Sequence, residues 1–379
     1  MDMHPEKLEE ETLPTYQPER YYPVSQGEIL NDRYQTLAKI GYGVTSTIWL
    51  AKDLIASTYV VLKVHVTGQN RDHERELHIY KHIRINLERT KHPGRNFVRK
   101  LLDHLYIQGS HGRHVCLVHE PLGMSADLLV RMSPGQVMTL DDMKPGIRQL
   151  LVALDFLHSE CQIIHTDIQL KNLLLPGPET SYLARFEQAE VTDPTPRKML
   201  KDRTIYKSLG FLPRGGLPVL ADFGEARVGD KEHNDDIMPN AYRAPEVILR
   251  SSWGYKVDIW NVAMVAWDIV SSHTLVNGKN PDNIFDDRVH MAELVALLGP
   301  PPPGFREQRH LSSVFWDESG NWKDLAPIPD ITLESMAKSV KGEDKEGFLR
   351  WLRMALQWNP EDRPTALELL YDEWLMKGL

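Results

Sequence analysis

The sequence predicts an α+β chain in two unlike parts: a small β-sheet carrying one main helix, then a larger, mostly helical remainder. Two observations carry this expectation. β-branched runs bounded by polar residues, such as YVVLKVHV at 59–66, crowd the first third of the chain. After about residue 123 the period changes: Leu150, Leu151, Leu154 and Leu157 mark one face of a helix, and helical segments joined by proline-rich turns dominate from about residue 240 onwards. At 379 residues, 41% apolar and 26% charged, the chain suits one large domain or two packed lobes with a substantial core.

Residues 1–33 are acidic and lack a sustained period, so a flexible arm is expected there, although Tyr21, Tyr22 and Val24 suit docking on a neighbouring surface. RYQTLAKIGYGVTSTIWLAKD then reads as a strand, a glycine-rich turn and a second strand, and YVVLKVHV as a central strand. In RDHERELHIYKHIRI the residues Leu77, Tyr80 and Ile83 share a helical face, and HVCLVHEPLG returns to strand before Pro121–Gly123. The first part thus spans 34–122 and the second 123–379. Within the second, residues 176–218 hold PGPET, TDPTP and LPRGGLP with little period, and are expected to form an irregular insertion. The stretch from Ile259 to Val270 reads as a buried helix, too short and too polar at Asn261 and Asp268 to span a membrane.

A net charge of −9 argues against a broad basic field for nucleic acid and suits a basic partner, or simply a solvated acidic surface. Cys116 and Cys161 lie in apolar surroundings, as core thiols of a reducing compartment do. The first twenty residues have no apolar run of the signal-peptide kind. A cytoplasmic or nuclear protein, with no membrane contact, is the expectation.

The chemistry gathers on IIHTDIQLKNLLL, residues 163–175, where an apolar strand pair frames a short polar loop. Asp167 offers a carboxylate to orient a hydroxyl and Asn172 an amide to hold a metal, an arrangement suited to moving a phosphoryl group. Ile40-Gly41-Tyr42-Gly43-Val44-Thr45-Ser46-Thr47-Ile48 is a turn whose glycines let backbone N–H groups approach phosphates, with Ile40 and Ile48 left to cover a purine. Taken alone it is also consistent with a plain hairpin. Lys63 lies on a strand that reads as buried, where an ammonium needs a partner; Glu76 on the following helix is preferred and Glu74 is the alternative. Asp222, in DFG, ends an apolar strand and is the second candidate metal ligand. Glu246, in APE, is expected to pair with Arg363, and Asp258 to brace the catalytic loop.

In this order the motifs resemble those of a eukaryotic-type protein kinase from about Tyr34 to Trp374. Within that family the closest resemblance is to the serine/arginine-rich protein kinases, especially fungal ones. It rests on H-T-D with Thr166, on G-x-G-x-x-S-T-I-W-L, on an insertion between the catalytic loop and DFG, and on HMAELVALLGPPP at 290–302. The resemblance implies a bilobal kinase fold and transfer of the γ-phosphoryl of ATP to serine or threonine of Arg/Ser-rich proteins. It also implies Mg2+ on Asn172 and Asp222, Lys63 aligned by Glu76 on the phosphates, and Asp167 orienting or accepting the hydroxyl proton. Adenine is then expected between Ile40, Ile48 and Val61 on one side and Leu174 on the other, bonded to the backbone of Glu120 and Leu122, with His119 as a packed wall behind it. A monomer is expected.

Three departures matter. Thr166 stands where most kinases have an arginine that binds an activation-loop phosphate, and 225–241 contains no Ser, Thr or Tyr, which implies activity without that phosphate. Gln169 replaces the usual lysine, and Lys171 is the candidate for restoring the missing charge. Pro239 stands where a substrate-selecting threonine is usual. Gln169 and Pro239 leave open a second reading, a pseudokinase scaffold with little turnover; a small-molecule kinase is opposed by APE, Asp258-Ile259-Trp260 and Arg363. The acidic clusters Asp230–Glu232, Asp235–Asp236 and Asp286–Asp287 are candidates to receive an arginine-rich substrate, or solvated loop charge.

Overall fold

The computed structural model describes residues 6–68, 72–211, 214–229, 231–307 and 310–378. The chain divides into two compact units. The first comprises Met1–Arg84, Arg99–Met124 and Leu174–Gly216, and the second Ile85–Val98, Ser125–Leu173 and Leu217–Leu379.

The first unit is built on an antiparallel sheet of six strands: β1 (Ile29–Leu30), β2 (Tyr34–Tyr42), β3 (Ser46–Asp53), β4 (Thr58–His65), β5 (Leu101–Gly109) and β6 (Gly112–His119). They lie in the order β1-β2-β3-β4-β6-β5, and helix α1 (Asp72–Leu87) follows β4. Strand alternation decides what each face carries. Trp49, Ala51, Val60, Leu62 and Val64 enter the main core of this unit, with Leu105, Ile107, Cys116 and Val118. The opposite face receives Ile48 and Lys63, paired across β3 and β4, and Leu50 and Val61, paired likewise.

Two expectations are corrected here. Residues 6–33 are not a flexible arm. Tyr21 and Val24 are buried, and Val24 and Leu30 belong to the core of the sheet. Lys39, buried in β2, pairs with Glu10 and lies 3.7 Å from Glu9, so the charges that marked the arm as solvated are partly neutralised within the fold. Nor is 176–218 irregular throughout, and its described residues up to Gly216 fold with the first unit instead of the second. It forms a helix, Thr180–Thr192, and a hairpin of Arg197–Met199 with Thr204–Tyr206. Leu183 and Phe211 cluster with Leu50, while Tyr206 enters the sheet core. At its start, Gly177 approaches the Pro121 carbonyl so closely that a Cβ would sit 1.9 Å from the oxygen. Lys198 on the hairpin pairs with Glu11 of the arm at 2.9 Å, joining the two segments.

The second unit is helical around Leu140–Asp155 and Lys256–Val270. The first of these opens on a capping box of Thr139 and Asp142, buries Leu150, Leu151 and Leu154, and widens into a π-turn, Phe156–Glu160, at the expected end. The second buries Trp260, Val262, Ala263, Val265 and Trp267 completely. HMAELVALL lies in the helix Asp287–Leu298, which Gly299 ends at φ 77°. No helix among the described residues is long and apolar enough to cross a membrane.

A wholly buried ion pair fastens the APE segment. Arg363 binds Glu246 through both guanidinium arms at 2.6 and 2.7 Å, bonds the Gln357 and Lys256 carbonyls, and lies 4.9 Å from the Trp260 ring. Removing one member leaves the other charge buried and unpaired, which costs far more than losing an exposed pair. Arg363→Ala is therefore expected to lower unfolding free energy by about 3–5 kcal/mol. Arg353→Ala, which breaks the exposed pair with Glu334, is expected to cost about 1 kcal/mol or less. Urea denaturation of both variants checks the contrast.

Candidate active site

Each unit carries part of the expected site, and each part is built by its own local structure. In the first, Lys63 Nζ lies 2.7 Å from Glu76 Oε2, with both side chains buried. His65, two residues along β4 on the same face, brings Nε2 to 3.2 Å from the same oxygen. Burial alone raises the Glu76 pKa, but the Lys63 charge and then His65 outweigh it and hold the carboxyl well below its usual range. Glu74, the alternative partner, pairs with Arg113 at 2.7 Å on the exposed side. His65 was missed in the sequence; only its parity with Lys63 on the strand marks it.

The glycine turn joins β2 to β3. Gly41 faces Ile48 and Tyr42 faces Thr47 across the ladder, and Gly43 N–H donates to the Ser46 carbonyl at 2.8 Å. Val44 and Thr45 are exposed at the tip, whereas Ser46 and Thr47 are buried, with Thr47 Oγ1 accepting from Trp49 Nε1. Ile40 packs in the Leu50–Leu183–Phe211 cluster. The segment after β6 is held by Gly123 N–H to Leu175 O and Leu175 N–H to Met124 O, each 2.9 Å, next to the partly buried Leu174. The Glu120 carbonyl and Leu122 N–H take no backbone partner among the described residues. His119 is fully buried with Nδ1 2.8 Å from the Lys100 carbonyl, and burial, reinforced by Arg99, pushes its pKa well down. It is a wall.

In the second unit the catalytic-loop backbone hangs from one carboxylate. Asp258, at the start of the Lys256–Val270 helix, accepts from His165 N at 2.8 Å and Thr166 N at 2.9 Å, and His158 Nε2 of the π-turn lies 2.8 Å away. Thr166 adopts φ 66°, a rare conformation for a β-branched residue, and Asp222 adopts φ 63°. His165 packs on Phe223, contacts the Ala221 carbonyl through Nε2 and accepts the Asp167 N–H at Nδ1. The Thr166 hydroxyl donates to the Glu225 carbonyl at 2.7 Å, tying the loop to the segment just after DFG.

Both oxygens of Asp167 are held by amides: Gln169 Nε2 donates to Oδ1 at 2.7 Å and Asn172 Nδ2 to Oδ2 at 2.8 Å. Burial raises the Asp167 pKa and the neighbouring Asp222 charge pushes the same way, while His165, Asn172 and Gln169 oppose them. Gln169 read from sequence only as a lost charge; its hydrogen bond was not legible. Lys171 is exposed and makes no side-chain ion pair or hydrogen bond among the described residues. Ala221 N–H donates to the Asn172 carbonyl, which sets Asp222 one residue from Asn172 across the strand pair. With its NH2 spent on Asp167, Asn172 has its amide oxygen left over, and with the Asp222 carboxylate this is a hard-oxygen donor set that fits a divalent cation such as Mg2+.

Asp167 also lines a cavity of about 250 Å3 with Glu225, Asp236, Ile237, Met238 and Pro239. Of the expected acidic clusters, Asp235 pairs with Arg227, Asp236 and Asp287 both pair with Arg243, and Asp286 caps the Asp287–Leu298 helix and binds Arg288. Asp230 lies outside the described residues.

The protein kinase domain family matches residues 34–375, and the chain belongs to it. It is a serine/threonine protein kinase, with protein substrates and use of ATP and a divalent metal. Among its relatives, a serine/threonine protein kinase of Aspergillus fumigatus is 39% identical over 375 residues, 98% of this chain and 91% of the relative. The serine/threonine-protein kinase SRPK of Physarum polycephalum is 29% identical over 390 residues, covering 96% of this chain and 90% of its own. SRSF protein kinase 3 of Mus musculus is 23% identical over 506 residues, covering 94% and 88%.

Tyr242, the first hydroxyl-bearing residue after DFG, is buried and donates to Asp268. Burial, with a lesser contribution from Asp127, pushes the Asp268 carboxyl up to about 6. The folded state therefore binds this proton more tightly than the unfolded chain, so its contribution to stability is present at low pH and is lost as pH rises through about 6. Between pH 7 and pH 4.5 wild-type protein should gain about 2 kcal/mol from this group. Asp268→Asn should remove that increment, as compared by urea denaturation at the two pH values.

Proposed function

We propose that this kinase transfers the γ-phosphoryl group of ATP to serine or threonine in Arg/Ser-rich proteins, with Mg2+ as its metal and without a phosphate on its activation segment. Charge near the acceptor-side cavity carries the substrate class. Glu225 and Asp236 line that cavity with Asp167, and the ion pairs of Glu225, Asp235, Asp236 and Asp287 run to Arg227 and Arg243, an acid-rich surround that suits a basic peptide beside Asp167. Kinship with SRPK and SRSF protein kinase 3 along nearly the whole chain supports the same class. The net charge of −9 favours a basic protein partner over nucleic acid. The chain is read as acting alone, in cytoplasm or nucleus, away from membranes.

In this reading Asp167 orients the acceptor hydroxyl and takes its proton. Lys63, fixed by Glu76, engages the α- and β-phosphates, the glycine turn covers them with backbone N–H groups, and Ile48, Val61 and Leu174 enclose the purine. Asn172 and Asp222 would hold the metal, which when bound supplies neutralisation of phosphate charge. Independence from activation-segment phosphate is supported by the Thr166–Glu225 bond, which needs no phosphate to form, and by the burial of Tyr242.

With radiolabelled ATP, an Arg-Ser repeat peptide is expected to be labelled well above a generic basic protein, and Asp167→Asn to abolish labelling of both. Absence of label above the Asp167→Asn background would favour a scaffold with little turnover. Phosphatase-treated enzyme should keep its rate; dependence on a phosphate at Tyr242 would overturn the activation proposal. Lys171→Ala should slow turnover about tenfold, equivalent to about 1.4 kcal/mol, and Gln169→Lys should restore it in that background. If Lys171→Ala leaves turnover intact and Gln169→Lys changes nothing, Lys171 does not supply the missing charge.

A further inference from the structure

A residue preceding the stretch matched by the kinase family touches the tip of the glycine turn. Tyr21 is 6% exposed, and its hydroxyl donates to the Gly43 carbonyl at 3.0 Å and lies 3.3 Å from the Val44 carbonyl. Burial, with the nearby Glu10 charge, pushes the hydroxyl up to about 12, so it stays protonated as a donor near neutral pH.

The tyrosine is held in place from several directions. Thr67 N–H donates to the Arg20 carbonyl at 2.7 Å, while the adjacent Val66 N–H donates to the Thr45 carbonyl at 2.9 Å, so the arm and the turn are anchored side by side on consecutive residues. Arg203, on the hairpin of the inserted segment, donates through Nη1 to the Pro18 and Tyr21 carbonyls. The Tyr16 ring packs at 5.1 Å from that of Tyr21.

Peptide planarity turns this contact into a statement about the turn. In a trans peptide the N–H points opposite to the carbonyl, so fixing the carbonyls of Gly43 and Val44 also fixes the N–H groups of Val44 and Thr45, aimed away from Tyr21. Neither N–H takes a backbone partner among the described residues. Val44 is 52% exposed and packs too little to hold the tip by itself. Paired free N–H groups on a glycine-rich turn are an anion cradle.

We propose that Tyr21 is a positioning residue for nucleotide binding: its hydroxyl fixes the Gly43–Thr45 peptides so that their N–H groups are preorganised for the phosphates. The inference deepens the ATP-dependent reading and rests on the glycine turn as the element that covers the phosphates. Preorganisation through one neutral hydrogen bond predicts a change of several-fold, not an all-or-none effect.

The test is Tyr21→Phe, which deletes one hydroxyl and keeps the packed ring. Hydrogen exchange on nucleotide-free protein reads the turn directly through the protected amides of Gly43 and Val66. Calorimetric titration with ADP reads nucleotide affinity. Both are expected to change: faster exchange at Gly43 and Val66, and an ADP Kd raised about three- to tenfold, with peptide KM and melting temperature unchanged. Arg203→Met, which loosens the arm without touching the turn, should shift both readouts in the same direction by less. Wild-type exchange at Gly43 in Tyr21→Phe, or faster exchange with unaltered ADP affinity, overturns the proposal. Neither measurement requires phosphoryl transfer, so failure to label an Arg-Ser peptide would count against the substrate class and leave this result standing.

Discussion

The catalytic loop keeps its shape because a single buried carboxylate, Asp258, gathers His165 N–H, Thr166 N–H and His158 Nε2 within 2.9 Å. Burying an ionised carboxylate costs several kcal/mol unless its lone pairs are satisfied. Charge-assisted hydrogen bonds contribute about 1.5–3 kcal/mol each, so donors of this quality offset the burial. They also offset a second cost. Thr166 at φ 66° and Asp222 at φ 63° occupy backbone regions that cost about 1–3 kcal/mol each. The strained residues are those that aim Asp167 and Asp222, and the rigid Lys256–Val270 helix behind Asp258 supplies the support.

Glu76 in the first unit follows the same logic with a different partner. Its burial would neutralise it were Lys63 and His65 not beside it, and their charges win. Glu246 is a third example, satisfied by both arms of Arg363. In each case an acid that would destabilise the fold alone becomes a fixed point once its donors are in place. Loss of one partner is therefore far more damaging than the net worth of the pair.

What was legible in the sequence was whatever period or local spacing encodes. Strands β2 to β4, the Leu140–Asp155 helix, and the preference for Glu76 over Glu74 all follow from neighbours a few residues apart. The packing of the arm and the inserted segment is not legible locally because their partners are distant in sequence. Val24 and Tyr206 both enter the sheet core, against residues far from them in the chain. Glu10 looked like solvated charge, because nothing local reveals that Lys39 in β2 is buried against it. Thr166 shows the same limit at the site: the sequence marks an absent arginine, while the bond from its hydroxyl to Glu225 depends on where the backbone turns.

Gln169 shows how a neutral substitution redistributes charge instead of merely deleting it. A lysine there would steady Asp167 and cancel its charge in one contact; the glutamine amide does the first and not the second. Asn172 does likewise from the other oxygen. The loop thus holds Asp167 firmly without supplying a lysine's cation, while burial and then the neighbouring Asp222 charge raise the Asp167 pKa. Two such carboxylates in a partly buried site repel both each other and an incoming polyphosphate. The balancing positive charge has to come from elsewhere, and on this loop the remaining cationic side chain is the exposed Lys171. Geometry at Asp167 is therefore supplied by amides that bring no positive charge, which separates two tasks that one lysine would otherwise combine.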